Sequence, residues 1–303
     1  MTQSRRRFLQ ISAAASLAGL STRARAQAPT ARWSGAALGA ASSISIAGLP
    51  QSEADEVFAQ VSDEITRLER IFSLYDPGSD LSRLNRDGAL AAPEFELLEV
   101  LSLSRQIWSA SQGAFDPSVQ PILQARFSEQ DPSLVRHSHS LSDVTQDGSR
   151  IILAQAGMGL TLNGIAQGYI TDQVTRLLAR QGLKNVAVNA GETRALGRPD
   201  ASRAGWHVGV ADPNGRLLAR HVLNDRAIAT SASRGTLLPD GQSHLIDARN
   251  GQPLTGYRVI SIAAPTATLA DGLSTAASCL SRVDIQTMLQ NFPDAELLVR
   301  SST

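Results

Sequence analysis

The chain has 303 residues, of which 42% are hydrophobic and 18% charged, and its 28 basic residues balance its 28 acidic ones. This composition is typical of a soluble globular protein with one large domain or two small ones. Five of the arginines lie before Gln27, and without them 23 basic residues face 28 acidic ones. This mildly acidic balance argues against nucleic acid and against an anionic membrane surface as partners, because both require a basic patch.

The N-terminus has the pattern of an export signal. The letters S-R-R-R-F-L from Ser4 match the twin-arginine motif, an apolar run follows at Ile11–Leu20, and small residues at Ala24 and Ala26 suit cleavage. We predict a signal peptide over residues 1–26, one domain over 27–303, and a periplasmic location. A cytoplasmic amphipathic helix is the alternative. The apolar run is about half the ~20 residues that span a bilayer, and we expect no transmembrane segment in the mature chain.

The first elements of the mature chain follow from periodicity. Alternation from Trp33 to Ile46 predicts a strand, and Gly48–Pro50 predicts a turn after it. Ser52 is a candidate N-cap for a long helix. Its apolar positions keep a helical period and predict a core-facing side: Val57, Phe58, Val61, Ile65, Leu68, Ile71 and Phe72.

The next segments contain turn and loop signals. Asp76-Pro77-Gly78 predicts a loop, a second helix is expected from Phe95 to Ser111, and Asp116-Pro117 predicts an Asx turn. Further on, His137-Ser138-His139 lies in a polar stretch. A metal site is one interpretation of that H-x-H, but a solvated loop is favoured, because no further ligand has a fixed spacing to it.

The middle of the chain predicts strands and turns around glycines. Leu160 to Gly164 predicts a strand that leads into a helix, although the glycines lack the Gly-Lys-Ser/Thr ending of a phosphate-binding loop. Asn185 to Gly197 predicts a strand and a glycine turn. Short strands at Trp206–Val210, Leu217–Leu223 and Ala227–Thr230 predict a meander.

The C-terminal part centres on a helix of small residues. Val259–Ala263 predicts a strand, and Thr266 is a plausible N-cap for the helix after it. Asp271, Ser274 and Thr275 share one face of that helix, so their oxygens suit either a hard cation such as Mg²⁺ or helix capping; spacing alone favours capping. A last helix and strand are expected from Ile285 through Leu289 and at Leu297–Val299.

Several motifs follow one another along the chain. They are, in chain order, F-S-x-Y-x-x-x-S-x-L-x-x-L-N from Phe72, G-A-F-D-P-S-V from Gly113, L-T-L-N-G-I-A-Q-G-Y from Leu160, A-T-S from Ala229, S-H-L-I-D-A-R-N-G from Ser243 and A-P-T-A-x-x-A-D-x-x-x-T-A from Ala264. Together they resemble the motifs of the ApbE family of FAD:protein FMN transferases. The resemblance covers Gly35 to Val299. It implies an α+β fold of mixed and antiparallel strands with interleaved helices, arranged as one two-lobed unit.

The resemblance also implies roles for individual residues. His244 is the candidate catalytic base, and its ordinary pKa of about 6.5 suits that role. The expected magnesium ligands are Gly164, through its carbonyl, with Asp271, Ser274 and Thr275. The expected FAD contacts are Leu38, Tyr75, Ala114, Phe115, Asp116, Thr161, Gln167 and Ile246.

Four of the positions that depart from the family pattern bear on activity. Thr161 replaces an Asp, Gln167 replaces a Lys or Glu, Glu192 stands where a second Gly is expected in a loop that is one residue shorter, and Ser233 replaces an Asp. The export signal and the short loop make the chain similar to the NosX-type subfamily.

The implied reaction is Mg²⁺-dependent transfer of FMN from FAD to a Thr or Ser of a periplasm-facing client flavoprotein. A NosR-like protein in nitrous oxide reductase maturation is the expected client, with NqrC- or RnfG-like subunits as alternatives. Two other functions stay open. One is a periplasmic FAD pyrophosphatase, and the other is a non-catalytic FAD-binding assembly factor.

Overall fold

A computed structural model describes residues 29–128, 139–256 and 258–302; the predicted signal peptide, His137 and Ser138 lie outside the described residues. The strands are β1 (Thr30–Ala37), β2 (Ala40–Ala47), β3 (Ala89–Ala91), β4 (Val144–Asp147), β5 (Arg150–Leu153), β6 (Val186–Ala190), β7 (Thr193–Leu196), β8 (Trp206–Ala211), β9 (Leu217–Leu223), β10 (Arg226–Ala232), β11 (Ile246–Asp247), β12 (Gln252–Pro253), β13 (Arg258–Ala264) and β14 (Glu296–Ser302). The helices are α1 (Asp55–Phe72), α2 (Asp80–Asp87), α3 (Phe95–Ala110), α4 (Gln120–Phe127), α5 (Ala166–Arg180), α6 (Ala267–Ser278) and α7 (Arg282–Leu289).

The main sheet has seven strands in the order β1-β2-β6-β7-β10-β13-β14, and every neighbouring pair is antiparallel. The strands β3-β5-β4 form a smaller antiparallel sheet, and β8 pairs with β9 alone. Helices and antiparallel sheets are interleaved along the chain, which confirms the predicted α+β class. Among the helices of the described ranges, none has the length and apolar character that crossing a membrane requires.

Helix α6 packs between the main sheet and α5, and most of its residues are buried. Small residues permit this close approach, since a Cβ on Gly168 of α5 would lie 2.3 Å from the carbonyl oxygen of Ala267. At its N-terminus the Thr266 hydroxyl accepts from the backbone N–H of Leu269, which confirms the predicted cap. The predicted strand before it and the helix and strand after it are also present.

The first predicted strand is in fact two. Leu38 and Gly39 form a tight turn with φ of 46° and 78°, and the chain folds back as the β1–β2 hairpin. The backbone N–H of Leu38 donates to a carboxylate oxygen of Glu69 at 2.7 Å, which stabilises this conformation for a residue other than glycine. The N-cap prediction for Ser52 is wrong, because Ser52 lies in a short 3₁₀ turn and α1 begins after Ala54 without a side-chain cap.

The loop predicted after Asp76 is short, because α2 begins at Asp80 with Ser79 as its N-cap. The strand predicted from Leu160 is absent. The side chain of Asn85 takes the place of a neighbouring strand there. It accepts from the Leu160 N–H at 2.7 Å and donates to the Leu160 carbonyl at 2.8 Å. This irregular segment leads directly into α5, which is where the sequence predicts a helix.

The predicted meander is wrong at its third strand. β10 pairs with β7 and β13 of the main sheet rather than with β9. Between β9 and β10 the chain turns at Asp225, which has φ of 53°, and its carboxylate accepts from the N–H of Gly197 at the end of β7. This turn directs β10 into the main sheet and leaves the β8–β9 hairpin outside it.

Candidate active site

A cleft of about 2540 Å³ opens between the main sheet, α4 and the loop that contains His244. All but one of the residues that the sequence nominates line it: Leu38, Tyr75, Ala114, Phe115, Asp116, Thr161, Gly164, Gln167, His244, Ile246, Asp271 and Thr275. Segments far apart in sequence are therefore brought to a single cavity.

Three of the predicted metal ligands meet at the floor of the cleft. The Thr275 hydroxyl lies 3.4 Å from the carbonyl oxygen of Gly164, and one carboxylate oxygen of Asp271 accepts from the N–H of Gly168 at 3.0 Å. A Cβ on Gly164 would lie 2.9 Å from the Thr275 side chain, so glycine permits the contact. The floor thus presents a carboxylate, a carbonyl and a hydroxyl, which are oxygen donors of the kind that Mg²⁺ prefers.

Ser274 is the predicted ligand that does not join them. It is fully buried, is absent from the cleft lining, and donates to the carbonyl oxygen of Asp271 at 3.1 Å. Its oxygen is also 2.7 Å from the Ser231 hydroxyl on β10. Its role as a ligand stays a prediction, and its surroundings are those of a helix residue behind the floor.

Glu192 is a second carboxylate at the floor, and the sequence singles it out only as a departure from the family pattern. It is 6% exposed, lines the cleft, and accepts from the Thr230 N–H at 3.2 Å. Burial and then the charge of Asp271 raise its pKa well above the ordinary value. Burial likewise raises the pKa of Asp271 to about 7, and the charges that act on both carboxylates are negative.

These features test whether a divalent cation suits the floor. Two buried carboxylates repel each other and favour a bound positive charge, and the adjacent carbonyl and hydroxyl oxygens suit a hard ion. Within the described part of the chain, no three His, Cys, Asp or Glu side chains gather into a metal cluster. The donor set therefore fits Mg²⁺, an ion that commonly takes few protein ligands and completes its shell with water and phosphate.

His244 lies on the wall of the cleft in a defined orientation. Its Nδ1 is 2.9 Å from the carbonyl oxygen of Thr236. A carbonyl oxygen only accepts, so Nδ1 carries the proton and Nε2 has the free lone pair. Burial lowers the pKa of His244 below 6.5, which keeps the imidazole neutral at pH 7. Both properties are those of a general base.

The expected FAD contacts differ in what else they do. The predicted Asx turn is present: Asp116 accepts from the Ser118 N–H at 2.8 Å, and its other oxygen accepts from Ser140 and Leu141. Tyr75 is 53% exposed and lies on the cleft wall, whereas Ala114 and Phe115 are buried. Asp116 therefore organises the loop that presents its neighbours to the cleft.

The departures at Gln167 and Ser233 have local structural reasons. Gly191 has φ of 100°, and a Cβ there would lie 2.7 Å from the Gln167 side-chain oxygen, so Gln167 packs directly under the short loop before Glu192. Ser233 is buried and does not line the cleft. Its hydroxyl accepts from the Arg258 N–H and donates to the carbonyl oxygen of Gly256, joining the ends of two segments.

In the part of the chain that the structure describes, the fold is α+β and contains a large cleft whose floor presents oxygen donors. The sequence profile of the ApbE family matches residues 38–299. Because that match spans most of the chain, the chain belongs to the ApbE family.

Individual relatives agree with this assignment. The FAD:protein FMN transferase of Treponema pallidum (strain Nichols) is 28% identical over 282 residues, which cover 82% of this chain and 78% of that protein. The protein of the same name from Klebsiella pneumoniae (strain 342) is 26% identical over 264 residues, covering 77% and 73%. Among solved structures, the flavin transferase ApbE from Vibrio cholerae has the same fold, with a TM-score of 0.77 at 21% identity over 91% of this chain and 97% of that one.

Proposed function

We propose that this protein is a FAD:protein FMN transferase. One observation supports it most directly: the neutral imidazole of His244 and the oxygen donors Gly164, Asp271 and Thr275 face the same cleft. A base and an anion-neutralising cation site in one cavity are the two elements that phosphoryl transfer to a hydroxyl requires. Family membership identifies FAD as the phosphoryl donor.

The reaction balances without a further reactant. The hydroxyl oxygen of a client Thr or Ser attacks the phosphorus of FAD that carries riboflavin, and a new P–O bond forms. The bond from that phosphorus to the bridging oxygen breaks, and AMP leaves with the electron pair. The hydroxyl proton passes to Nε2 of His244, the unprotonated nitrogen of that ring.

Mg²⁺ is the cofactor that suits the floor of the cleft. Gly164, Asp271 and Thr275 would hold it, and bound Mg²⁺ neutralises pyrophosphate charge. Asp271 is held in place for this role by the Gly168 N–H, and a cation bound beside Glu192 would favour the charged form of that carboxyl, whose pKa is raised by burial. The remaining residues of the cleft, from Leu38 to Ile246, would bind the nucleotide.

The direct test uses residues 27–303, FAD, Mg²⁺ and a client domain that carries a Ser/Thr-Gly-Ala-x-Thr segment. We expect mass spectrometry to show one covalent FMN on the client and one AMP released for each FMN transferred. AMP release at the same rate without a client would identify a FAD pyrophosphatase instead. Tight FAD binding with neither product would identify an assembly factor.

The compartment and the client are further parts of the proposal. The twin-arginine motif at residues 1–26 supports export to the periplasm, where a NosR-like flavoprotein of nitrous oxide reductase maturation is the client we favour. NqrC- and RnfG-like domains are the competing substrates. Offering all three domains to the purified protein and comparing kcat/KM for FMN transfer tests the choice, since the preferred client should exceed the others by at least about tenfold, or about 1.4 kcal/mol.

A further inference from the structure

Hydroxyl and carbonyl oxygens form a continuous row behind the floor of the cleft. The Thr275 oxygen is 3.5 Å from the Ser231 oxygen, which is 2.7 Å from that of Ser274. Ser274 then donates to the carbonyl oxygen of Asp271 at 3.1 Å. The row therefore begins at one proposed magnesium ligand and ends on the backbone of another.

The Thr275 hydroxyl is directed out of its own helix. Serine and threonine within helices commonly donate to the carbonyl four residues earlier, as Ser278 does to Ser274 at 2.9 Å in the same helix. Thr275 instead points toward Gly164 on the loop and Ser231 on β10. Its orientation thus depends on residues outside α6.

The contacts allow one direction of hydrogen bonding along the whole row. A hydroxyl has one proton, and Ser274 uses its proton on the Asp271 carbonyl, so its oxygen accepts from Ser231. Ser231 has then used its own proton, and its oxygen is free to accept from Thr275. When Thr275 donates to Ser231, all three protons point away from the cleft.

This direction of hydrogen bonding resolves a conflict at the floor. A Thr275 proton directed at the Gly164 carbonyl would lie between two oxygens that are both expected to face a cation. A proton directed at Ser231 leaves the Thr275 lone pairs and the Gly164 carbonyl free. Ser231 is half-buried on the cleft wall and is the acceptor that the geometry offers for this.

We infer that Ser231 is a positioning residue for the metal site. It takes the proton of Thr275, turns the lone pairs of that hydroxyl toward the cation, and is itself held by Ser274. This inference rests on the proposed function, because it takes Thr275 as a magnesium ligand. It also gives buried Ser274 a role that needs no contact with the ion.

The test is Mg²⁺ titration of the FAD complex by calorimetry. Ser231→Ala should raise the Kd for Mg²⁺ about 10–100-fold, the usual effect of removing a group that orients a metal ligand. Ser231→Thr keeps the hydroxyl and should return the Kd to near the wild-type value. Ser274→Ala should have a smaller effect, because Ser231 is then still able to accept from Thr275. At saturating Mg²⁺, kcat for Ser231→Ala should recover.

Ser261→Ala is the matched control. Ser261 on β13 is a fully buried serine bonded to Thr230 and Ala229 of the same β10 strand, and it is absent from the cleft lining. We expect it to leave the Kd for Mg²⁺ unchanged. Equal weakening in Ser261→Ala and Ser231→Ala would overturn the inference, and so would wild-type affinity in Ser231→Ala or failure of Ser231→Thr to restore binding.

The proposed function and the positioning role of Ser231 can be refuted independently of each other. A wild-type protein that binds Mg²⁺ with FAD but transfers no FMN would refute the proposed function and leave the effect of Ser231 on metal affinity measurable. A wild-type protein that transfers FMN, with an unchanged Mg²⁺ affinity in Ser231→Ala, would refute the inference alone. A wild-type FAD complex without Mg²⁺ affinity would overturn the inference.

Discussion

The guanidinium of Arg126 and the carboxylate of Asp240 form an ion pair at 2.8 Å that joins two walls of the cleft. Arg126 is on α4 and is 8% exposed, while Asp240 is at the tip of the loop that leads to His244. The N–H of Leu238 donates to the carbonyl of Gln242 in the same loop. The ion pair therefore anchors the loop that presents the candidate base.

Asp240→Ala should lower FMN transfer at saturating FAD about 10–100-fold. We expect this because a displacement of the base by about 1 Å can lower the reaction rate by up to about 10². Steady-state kinetics measures the effect on kcat. Asp200→Ala removes a comparable ion pair, with Arg203, in a surface turn and should leave kcat unchanged. Similar losses in both variants would mean that the anchor at Asp240 has no specific role.

His244→Ala should retain FAD binding and lose FMN transfer by about 10²–10⁴-fold, the usual contribution of a general base. Equilibrium FAD titration and single-turnover AMP release measure the two properties separately. Asp247 is not a substitute base, because both its oxygens bind the Arg249 guanidinium. Transfer at the wild-type rate in His244→Ala would exclude this histidine as the base.

The pH dependence follows from the same residue. Burial lowers the pKa of His244, so the neutral, base-competent ring persists to a pH below 6.5. At saturating Mg²⁺, which keeps Asp271 ionised, single-turnover transfer should therefore fall on the acid side with an apparent pKa below 6.5. An apparent pKa above 7 on the acid side of the profile would assign the base to another group.

Local sequence signals predicted most of the helices, the family motifs nominated residues that gather at the cleft, and long-range contacts explain what both missed. The periodicity of α1 and the cap of α6 are local properties, whereas the pairing of β10 with β7 depends on a bond between Gly197 and Asp225. The irregular chain at Leu160 depends on Asn85, 75 residues away. Ser231 belongs to the A-T-S motif, but its role was missed for the same reason, because its partners lie on α6.

Asp172 is another residue that local patterns did not identify. It is fully buried in α5, pairs with Arg194, and accepts from the backbone N–H groups of Ala267 and Thr268 at 2.9 Å each. These are the first N–H groups of α6, so the carboxylate caps that helix from a neighbouring one. The cap fixes the end of α6 that precedes the floor of the cleft.

Asp172→Asn should reduce the free energy of unfolding by about 3–5 kcal/mol, the usual cost of removing one partner from a buried ion pair. Chemical denaturation of the variant and the wild type measures this free energy. Adding Arg194→Met should recover part of the loss, since the unpaired guanidinium is then removed as well. Asp87→Asn affects only an exposed pair with Arg86 and should leave unfolding unchanged. A stable Asp172→Asn protein would show that backbone contacts alone hold α6.

Replacing Arg5 and Arg6 by Lys should keep the protein in the cytoplasm in an active form. The pair belongs to the predicted leader, residues 1–26, which is an address rather than part of the folded domain. Cell fractionation and FMN transfer in each fraction measure the outcome. Normal export of the variant, or a misfolded product, would contradict the leader assignment.

Asp271→Asn tests the metal site directly. Asparagine keeps the shape and an oxygen that still accepts from the Gly168 N–H, but it removes the charge that attracts a cation. Without ligands, the melting temperature should equal or exceed that of the wild type, because a buried charge beside Glu192 is lost.

FMN transfer by Asp271→Asn should disappear at millimolar Mg²⁺, and the reciprocal strengthening of FAD and Mg²⁺ binding should disappear with it. Calorimetry with each ligand, alone and together, measures this coupling. A variant that transfers FMN at the wild-type rate with the same Mg²⁺ dependence would reduce Asp271 to a helix residue and remove the metal from the proposed mechanism.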